Sequence, residues 1–271
     1  MEHFKNKVLT IAGSDSGAGA GIQADLKTFA AIGVYGASVL TAVTAQNSIG
    51  VQDVRIMDED IINSQIDSVL SDIGASAVKT GMLANSNIIK LVSKKIKEYK
   101  IQNLIVDPVM VSESGDALLE EDAVSSYVQD IIPISVLVTP NILEAEKISK
   151  INISSEHDVE KAGKKILDLG AKNVLIKGGH FKGNFSVDFL FRNGTKIIKF
   201  KKDRVNTQNT HGTGCTLSAA IAAYMAKGES LEFSIRKSKE FLTNGLKNSY
   251  SVGEGPGPVN HFFNFKNHNE L

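Results

Sequence analysis

Cysteine is nearly absent from this chain: of 271 residues only Cys215 carries a thiol, which excludes an intrachain disulfide and argues against a cysteine-built metal site. Net charge is missing too. Thirty Lys and Arg balance thirty Asp and Glu, so no overall field draws the chain to nucleic acid or to an anionic membrane surface. Long apolar runs are lacking: the first, residues 8–11, breaks at Gly13-Ser14-Asp15, far short of a signal h-region or a membrane span. There are no internal repeats, no long linker and no composition shift that would mark a domain boundary. The expectation is one soluble domain over residues 1–271, untargeted and in a reducing cytoplasm, with a small molecule as partner.

What is present is an alternation. Short β-branched runs at 7–12, 37–43, 76–79, 103–107, 134–138 and 173–177 read as strands. Between them, residues 22–32, 59–71, 86–99, 120–131, 142–150 and 156–169 carry helical spacing. Such alternation predicts an α/β fold: a doubly wound, mostly parallel sheet with helices on both faces. Near the end the rhythm changes. Residues 186–192, then Asn193-Gly194, then 195–201 predict a late β-hairpin at the sheet edge. A helix then opens at Gly212-Thr213-Gly214-Cys215, and a last one spans about 231–250.

In an open parallel sheet, ligands bind beyond the carboxyl ends of the strands, and the chemically interesting residues fall there. Asp15-Ser16-Gly17-Ala18-Gly19-Ala20-Gly21 follows the first strand, but Ile22 stands where G-x-G-x-x-G would need its last glycine, and no Walker A sequence occurs. The loop is either a tight turn or a place where backbone approaches a flat ligand. Gly212 to Cys215 is the stronger signal: two glycines, unpaired N–H groups and a helix dipole suit an anion, and the same position stabilises a thiolate. Asp107 is either a turn initiator before Pro108 or a ligand for a hard cation. Asn141 and Glu144 make either a capping box or, through Glu144, a second metal ligand. Lys177 ends another strand where a nucleotide phosphate could lie, or is a solvated lysine in a glycine turn. Gln46, in Thr44-Ala45-Gln46-Asn47, either satisfies backbone or offers the donor and acceptor that an aminopyrimidine edge requires. His180 and His211 read as polar loop residues, and no H-E-x-x-H spacing exists.

Taken together, LTIAGSDSGAGAGIQADLKTF, TAVTAQNSIGVQ, KTGML, VDPVMV, SGDALL, LVTPNILEAE, VLIKGGH, NTHGTGCTLSAAIAA and the tail GPGPVNHFF resemble the hydroxymethylpyrimidine and phosphomethylpyrimidine kinases of thiamine biosynthesis, in the ribokinase-like superfamily. The resemblance runs from Val8 to about Phe263. It implies a usually dimeric, ribokinase-like enzyme that moves the γ-phosphoryl of ATP, with Mg2+, to a hydroxymethyl group and then to the resulting monophosphate. By that resemblance Gly13, Asp25, Gln46, Met82 and Val109 would surround the pyrimidine. Gly212, Thr213, Gly214 and Cys215 would form the catalytic anion hole, Lys177 and Thr210 would bind ATP, and Asp107 and Glu144 would act through the metal. Ala18 departs from the glycine many relatives carry, with no loss of function expected. Most ribokinase-like enzymes have an aspartate base where this chain has Cys215. The expectation is a thiolate that assists the alcohol and a neutral thiol that does not repel the phosphate nucleophile of the second step.

Two rivals remain from the sequence. One is a pyridoxal kinase of the same family, whose members resemble this chain but usually show a methionine-containing stretch at Thr44 to Asn47. The other is a non-catalytic ligand sensor that has lost the aspartate, against which Asp107, Glu144, Lys177 and the glycine loop stand together.

Overall fold

In the computed structural model, which describes residues 5–111, 118–120, 123–179 and 183–265, the chain runs in order through β1 (Lys7–Asp15), α1 (Gly21–Ile32), β2 (Tyr35–Gln46), β3 (Val51–Ile56), α2 (Glu59–Ser68), β4 (Ala77–Thr80), α3 (Ser86–Glu98), β5 (Leu104–Val106), α4 (Ala123–Ser126), β6 (Leu137–Val138), α5 (Ile142–Ser149), α6 (Glu156–Asp168), β7 (Asn173–Lys177), β8 (Phe185–Arg192), β9 (Ile198–Asp203), α7 (Thr213–Ala226) and α8 (Leu231–Lys247). A central strand with helices on both sides needs apolar residues on both faces. The parallel strands have them. Val8, Ile105 and Leu175 enter one core, while their neighbours Leu9, Leu104, Val106, Val174 and Ile176 enter the other. Helices α1, α7 and α8 cover the first face, and α2, α3, α5 and α6 cover the second.

The sheet order is β3-β2-β1-β4-β5-β6-β7-β8-β9. Strands β2 to β7 are parallel, and the antiparallel pairs lie at the two edges, β2 with β3 and β7-β8-β9. The chain leaves β1 toward one edge and β4 toward the other, so their carboxyl ends flank a topological switch point. Gly13 and Gly81 stand there, and a methyl group on Gly13 would fall 3.0 Å from Met82 Sδ. Helix α7 is buried almost all round, its Ala219, Ala220, Ile221, Ala222 and Ala223 fully so. Small residues let it lie between the sheet, α1 and α8. Among the described residues no helix is long and apolar enough to cross a membrane.

The doubly wound sheet, the helices on both faces and the late hairpin are all present, with differences in detail. The strand expected at 134–138 is only Leu137–Val138, because Pro133 fixes its φ and lacks an N–H, and Ile132–Ile134 stays a 3-10 turn. The helix expected at 59–71 passes into a π-helical turn, Val69–Ile73. That expected at 120–131 is α4 followed by a π-helical turn, Tyr127–Ile131, with residues 121 and 122 outside the described set. The Asn193-Gly194 turn forms, with Gly194 at φ 71°, but Leu190 pairs with Ile198, one residue beyond the partner a two-residue hairpin would give it. Strand β3 was not anticipated. Its Gln52, Asp53 and Arg55 are exposed on an edge, where strands carry little apolar signal.

Packing of α6 against β8 gives a test of the second core. Gly163 is buried, and a Cβ there would lie 2.5–2.6 Å from three ring carbons of Phe191. In an open helix Gly→Ala stabilises by about 1 kcal/mol. Here overpacking of about 1–3 kcal/mol opposes it, so Gly163→Ala should lower stability in urea unfolding, and Phe191→Leu in the same chain should restore part of it. An increase in stability from the single variant would show that α6 has room to move.

Candidate active site

Asp15, at the end of β1, organises the first glycine loop. Its Oδ1 accepts the Gly17 N–H at 2.8 Å, and its Oδ2 accepts the N–H groups of Gly19 at 3.0 Å and Ala20 at 2.8 Å. The ring Nε2 of His211 lies 2.8 Å from the same oxygen. Burial would raise the pKa of this carboxyl, but His211 and the backbone N–H groups outweigh it and hold it below its ordinary value. The amides before α1 are thus turned onto the chain's own carboxylate and form no open anion site. Ala18 takes φ 62°, a left-handed conformation that costs an L-residue about 1 kcal/mol. Gly21 has φ 57°, and any Cβ would fall 2.4 Å from the Gly13 carbonyl oxygen, so only glycine fits.

A cleft of about 470 Å³ opens at the carboxyl ends of the parallel strands. At its centre Lys177 Nζ donates to Asp107 Oδ1 at 2.8 Å and stands 3.9 Å from Glu144 Oε2. Asp107 also accepts from Thr139 Oγ1 at 3.3 Å and Ser218 Oγ at 3.0 Å. Although burial would raise its pKa, Lys177 and Lys79 hold Asp107 below the usual carboxylate range. For Glu144 burial wins over Lys177, and its carboxyl is pushed up to about 7. Lys177 stays charged, the two carboxylates outweighing the cost of its burial. The capping box is also real: the Asn141 N–H donates to Glu144 Oε2 at 2.7 Å, and the Glu144 N–H to Asn141 Oδ1 at 2.9 Å. Cap and cleft carboxylate are one residue. Among the described residues no group of three His, Cys, Asp or Glu could hold a metal by itself.

The first turn of α7 faces this centre. A Cβ on Gly214 would lie 3.3 Å from Lys177 Nζ and 3.8 Å from Asp107 Oδ2, so any side chain at this position would press on the ion pair. Gly212, Thr213, Gly214, Cys215 and Thr210 all line the cleft, and Thr213 Oγ1 donates to the Thr210 carbonyl at 2.5 Å. The Gly21 N–H is directed at the Cys215 sulfur. The expectation of a thiolate from the helix N-terminus is corrected here. Burial pushes the Cys215 thiol up to about 11, and Lys79 offsets this only in part, so the free protein carries a neutral thiol at pH 7.

Gly13, Gln46, Met82 and Val109 line the cleft together. The backbone of Gln46 is fixed by Ser16, whose Oγ accepts its N–H at 2.8 Å and donates to its carbonyl at 2.7 Å. Its Oε1 accepts from Thr44 Oγ1 at 3.1 Å. Asp25 differs from the expectation. It is fully buried and does not line the cleft; Lys79 does, with its ammonium 2.8 and 3.0 Å from the Asp25 carboxylate, which also accepts from Thr10 Oγ1 at 2.6 Å. Asp25 fixes a cation in the cleft wall. His180 and the first four residues of SGDALL lie outside the described residues.

The far end of the cleft was missed by sequence reasoning. Asp203 at the end of β9 and Val205 and Thr207 after it line the cleft with Leu242, Thr243 and Leu246 of α8, beside a buried Asp188–Lys239 pair at 2.6 Å. These residues come from separate segments with no motif of their own. The alternating residues of β8 and the apolar stripe of α8 were the only signals, and both also serve the core.

A sequence model of the phosphomethylpyrimidine kinase family matches residues 15–260. The hydroxymethylpyrimidine/phosphomethylpyrimidine kinase of Bacillus subtilis is 45% identical over 257 residues, 94% of each chain. The thiamine biosynthesis bifunctional protein ThiED of Geobacter sulfurreducens is 46% identical over 95% of this chain, which spans about half, 52%, of that longer relative. Among solved structures, the pyridoxal kinase of Staphylococcus aureus in complex with AMP-PCP and pyridoxal superposes with a TM-score of 0.88 at 36% identity, covering 96% of this chain and 94% of that one. The glycine-lined cleft, the Asp107–Lys177 pair and the helix opening at Cys215 are therefore set in a known frame: the chain belongs to the phosphomethylpyrimidine kinase family.

Proposed function

We propose that the chain transfers the γ-phosphoryl group of ATP to 4-amino-5-hydroxymethyl-2-methylpyrimidine, and then to its monophosphate, for thiamine biosynthesis. The observation that carries this is the approach of the first turn of α7 to the Lys177–Asp107 pair, which puts a helix N-terminus and a fixed cation side by side in one cleft. Phosphoryl transfer needs little else, since positioning and charge stabilisation supply most of its catalysis. Gly13, Gln46, Met82 and Val109 would hold the ring, and Thr210, Lys177 and the far end of the cleft would hold ATP. Asp107 and Glu144 are hard oxygen donors facing the phosphate region, a set that fits a Mg2+ ion which keeps waters and phosphate oxygens as its other ligands. Such an ion would neutralise phosphate charge. We further propose that residues 1–271 act as one kinase domain in the cytoplasm and as a homodimer; the exposed Val43, Ile49 and Ile56 near the β2–β3 edge support self-association.

The pyrimidine is preferred to pyridoxal because Gln46 is held at the cleft wall with an amide that can pair an aminopyrimidine edge. In Gln46→Met, two polar atoms of the ring lose their partners at about 1–3 kcal/mol each, so kcat/KM for the hydroxymethylpyrimidine, followed by ADP release, should drop at least about tenfold. Pyridoxal turnover should fall less. No pyrimidine turnover by the folded wild-type protein would sink the proposal, and equal losses for both substrates would remove Gln46 as the discriminating residue.

Because the thiol titrates near 11, a thiolate base would gain population as pH rises. First-transfer kcat/KM, which reports groups of the free enzyme, should then climb about tenfold per unit between pH 7 and 9 and become flat in Cys215→Ala, while the second transfer, with an anionic nucleophile, stays flat in both. A flat wild-type profile for the first step would leave Cys215 a shape residue only.

Glu144 has its folded pKa raised to about 7 from an ordinary 4.5, so folding favours its protonated form. The stability this gives is complete below about pH 4.5 and is lost as pH rises through 7. Glutamine keeps the cap at N3 without that ionisation. The melting temperature of Glu144→Gln relative to wild type should therefore increase between pH 5 and 8. His261, whose burial lowers its pKa to about 4, titrates in both proteins and cancels in the difference. A difference that is constant with pH would show that Glu144 does not titrate in this window.

A further inference from the structure

His211 sits where three segments of the chain meet. Its ring Nε2 is 2.8 Å from Asp15 Oδ2, with 12% of the side chain exposed. Its backbone is held by the tail: the His211 N–H donates to the Gly257 carbonyl at 3.1 Å, and the His211 carbonyl accepts the Val259 N–H at 3.3 Å. The tail is itself tied down, Gly257 N–H to Asn209 Oδ1 at 2.9 Å and Gly255 N–H to Ser48 Oγ at 3.1 Å. The two glycine loops touch with no slack. A Cβ on Gly19 would fall 2.0 Å from His211 Cδ2, and one on Gly212 would fall 1.8 Å from the Gly19 carbonyl oxygen.

We propose that Asp15 and His211 form a positioning clamp that sets the first turn of α7 against the cleft, so that the amides of residues 212–215 meet the phosphoryl group in flight. The inference rests on the phosphoryl-transfer reading above. Asp15 already accepts three loop amides without His211, so the first loop keeps its shape when the ring is lost. The tail holds the second loop through the His211 backbone and the Asn209 side chain, not through the His211 ring. The ring contact adds a side-chain bond to the Gly19–Gly212 backbone contact in fixing the register between the two loops, and the anion-hole segment begins at the residue after His211. An interaction of this kind acts in the transition state more than in ground-state binding, because the pyrimidine end is built from other residues.

The test compares wild type with His211→Ala, His211→Gln, His211→Asn and Gly19→Ala. Gly19→Ala displaces the ring while leaving both members of the pair chemically intact. Glutamine can present an N–H close to the place of Nε2, whereas asparagine falls a bond short. With MgATP and hydroxymethylpyrimidine, His211→Ala and Gly19→Ala should lose about 10- to 100-fold in kcat, with KM for the pyrimidine within about threefold of wild type. His211→Gln should recover most of the rate and His211→Asn should not. A second readout needs no substrate: as Cys215 is the only thiol, its alkylation by iodoacetamide, followed by intact mass, reports the packing of the loop. Each pKa unit recovered by a loosened thiol is about tenfold in thiolate, so labelling should quicken about tenfold in His211→Ala and Gly19→Ala and stay near wild type in His211→Gln. Unchanged kcat in the first two variants overturns the clamp. So does a loss that is equal for alanine, glutamine and asparagine and follows the melting temperature. If wild type fails to phosphorylate the pyrimidine, the functional reading falls, and the labelling pattern alone then supports or overturns the clamp.

Discussion

The charge of Lys177 is what the centre of the cleft depends on. Its ammonium is the cation shared by Asp107 and Glu144, two buried carboxylates brought together from the ends of β5 and the start of α5. Without it, two buried anions would face each other at a cost that burial alone makes large. The partition of the charge is unequal. Asp107, in direct contact, is held ionised, while Glu144 at 3.9 Å is left near neutrality in the free protein. A further cation entering with a phosphate would find one carboxylate ready and a second easily ionised, which is the behaviour wanted of a site that must be stable empty and charged when loaded.

Around that charge the walls are made by backbone approaching backbone. Gly21 against Gly13 and Gly212 against Gly19 leave no room for a Cβ, and both have positive φ. At Gly21 and Gly212 the space of a side chain is therefore taken by chain-to-chain contact. Asp15 completes the arrangement by occupying the amides in front of α1, so that α7 is left as the helix N-terminus open to the cleft.

Much of this was legible in the sequence, for identifiable reasons. Fully buried stretches of parallel strand such as 104–106 and 174–176 read as continuous apolar runs, and turn chemistry marked their ends. The residues at those ends, Asp107, Glu144, Lys177 and Gly212 to Cys215, were found because the fold rule says where ligands lie. Glu144 was posed as either a cap or a metal ligand; the structure shows the cap and places the same carboxylate in the cleft. What escaped was long-range. Asp15 with His211 spans 196 positions in sequence and Asp188 with Lys239 spans 51, and neither pair has a local signature. Asp25 was placed at the ring by the resemblance alone, which gives no depth; Lys79, fully buried beside it, takes the wall. Strand β3 escaped because an exposed edge carries no apolar alternation.

The same depth explains the thiol. Cys215 lies in the field of Asp25 and Asp107 on one side and Lys79 and Lys177 on the other, two carboxylates balanced by two ammoniums. A third carboxylate at position 215 would upset that balance in a site where burial already disfavours anions, and it would repel any phosphate that entered as a nucleophile. A thiol adds no charge. Burial raises its pKa to about 11, and Lys79 and the Gly21 N–H offset only part of that. The position therefore tolerates a group that is neutral when the cleft is open, and any ionisation must come from a cation or a proton acceptor that arrives with the substrates.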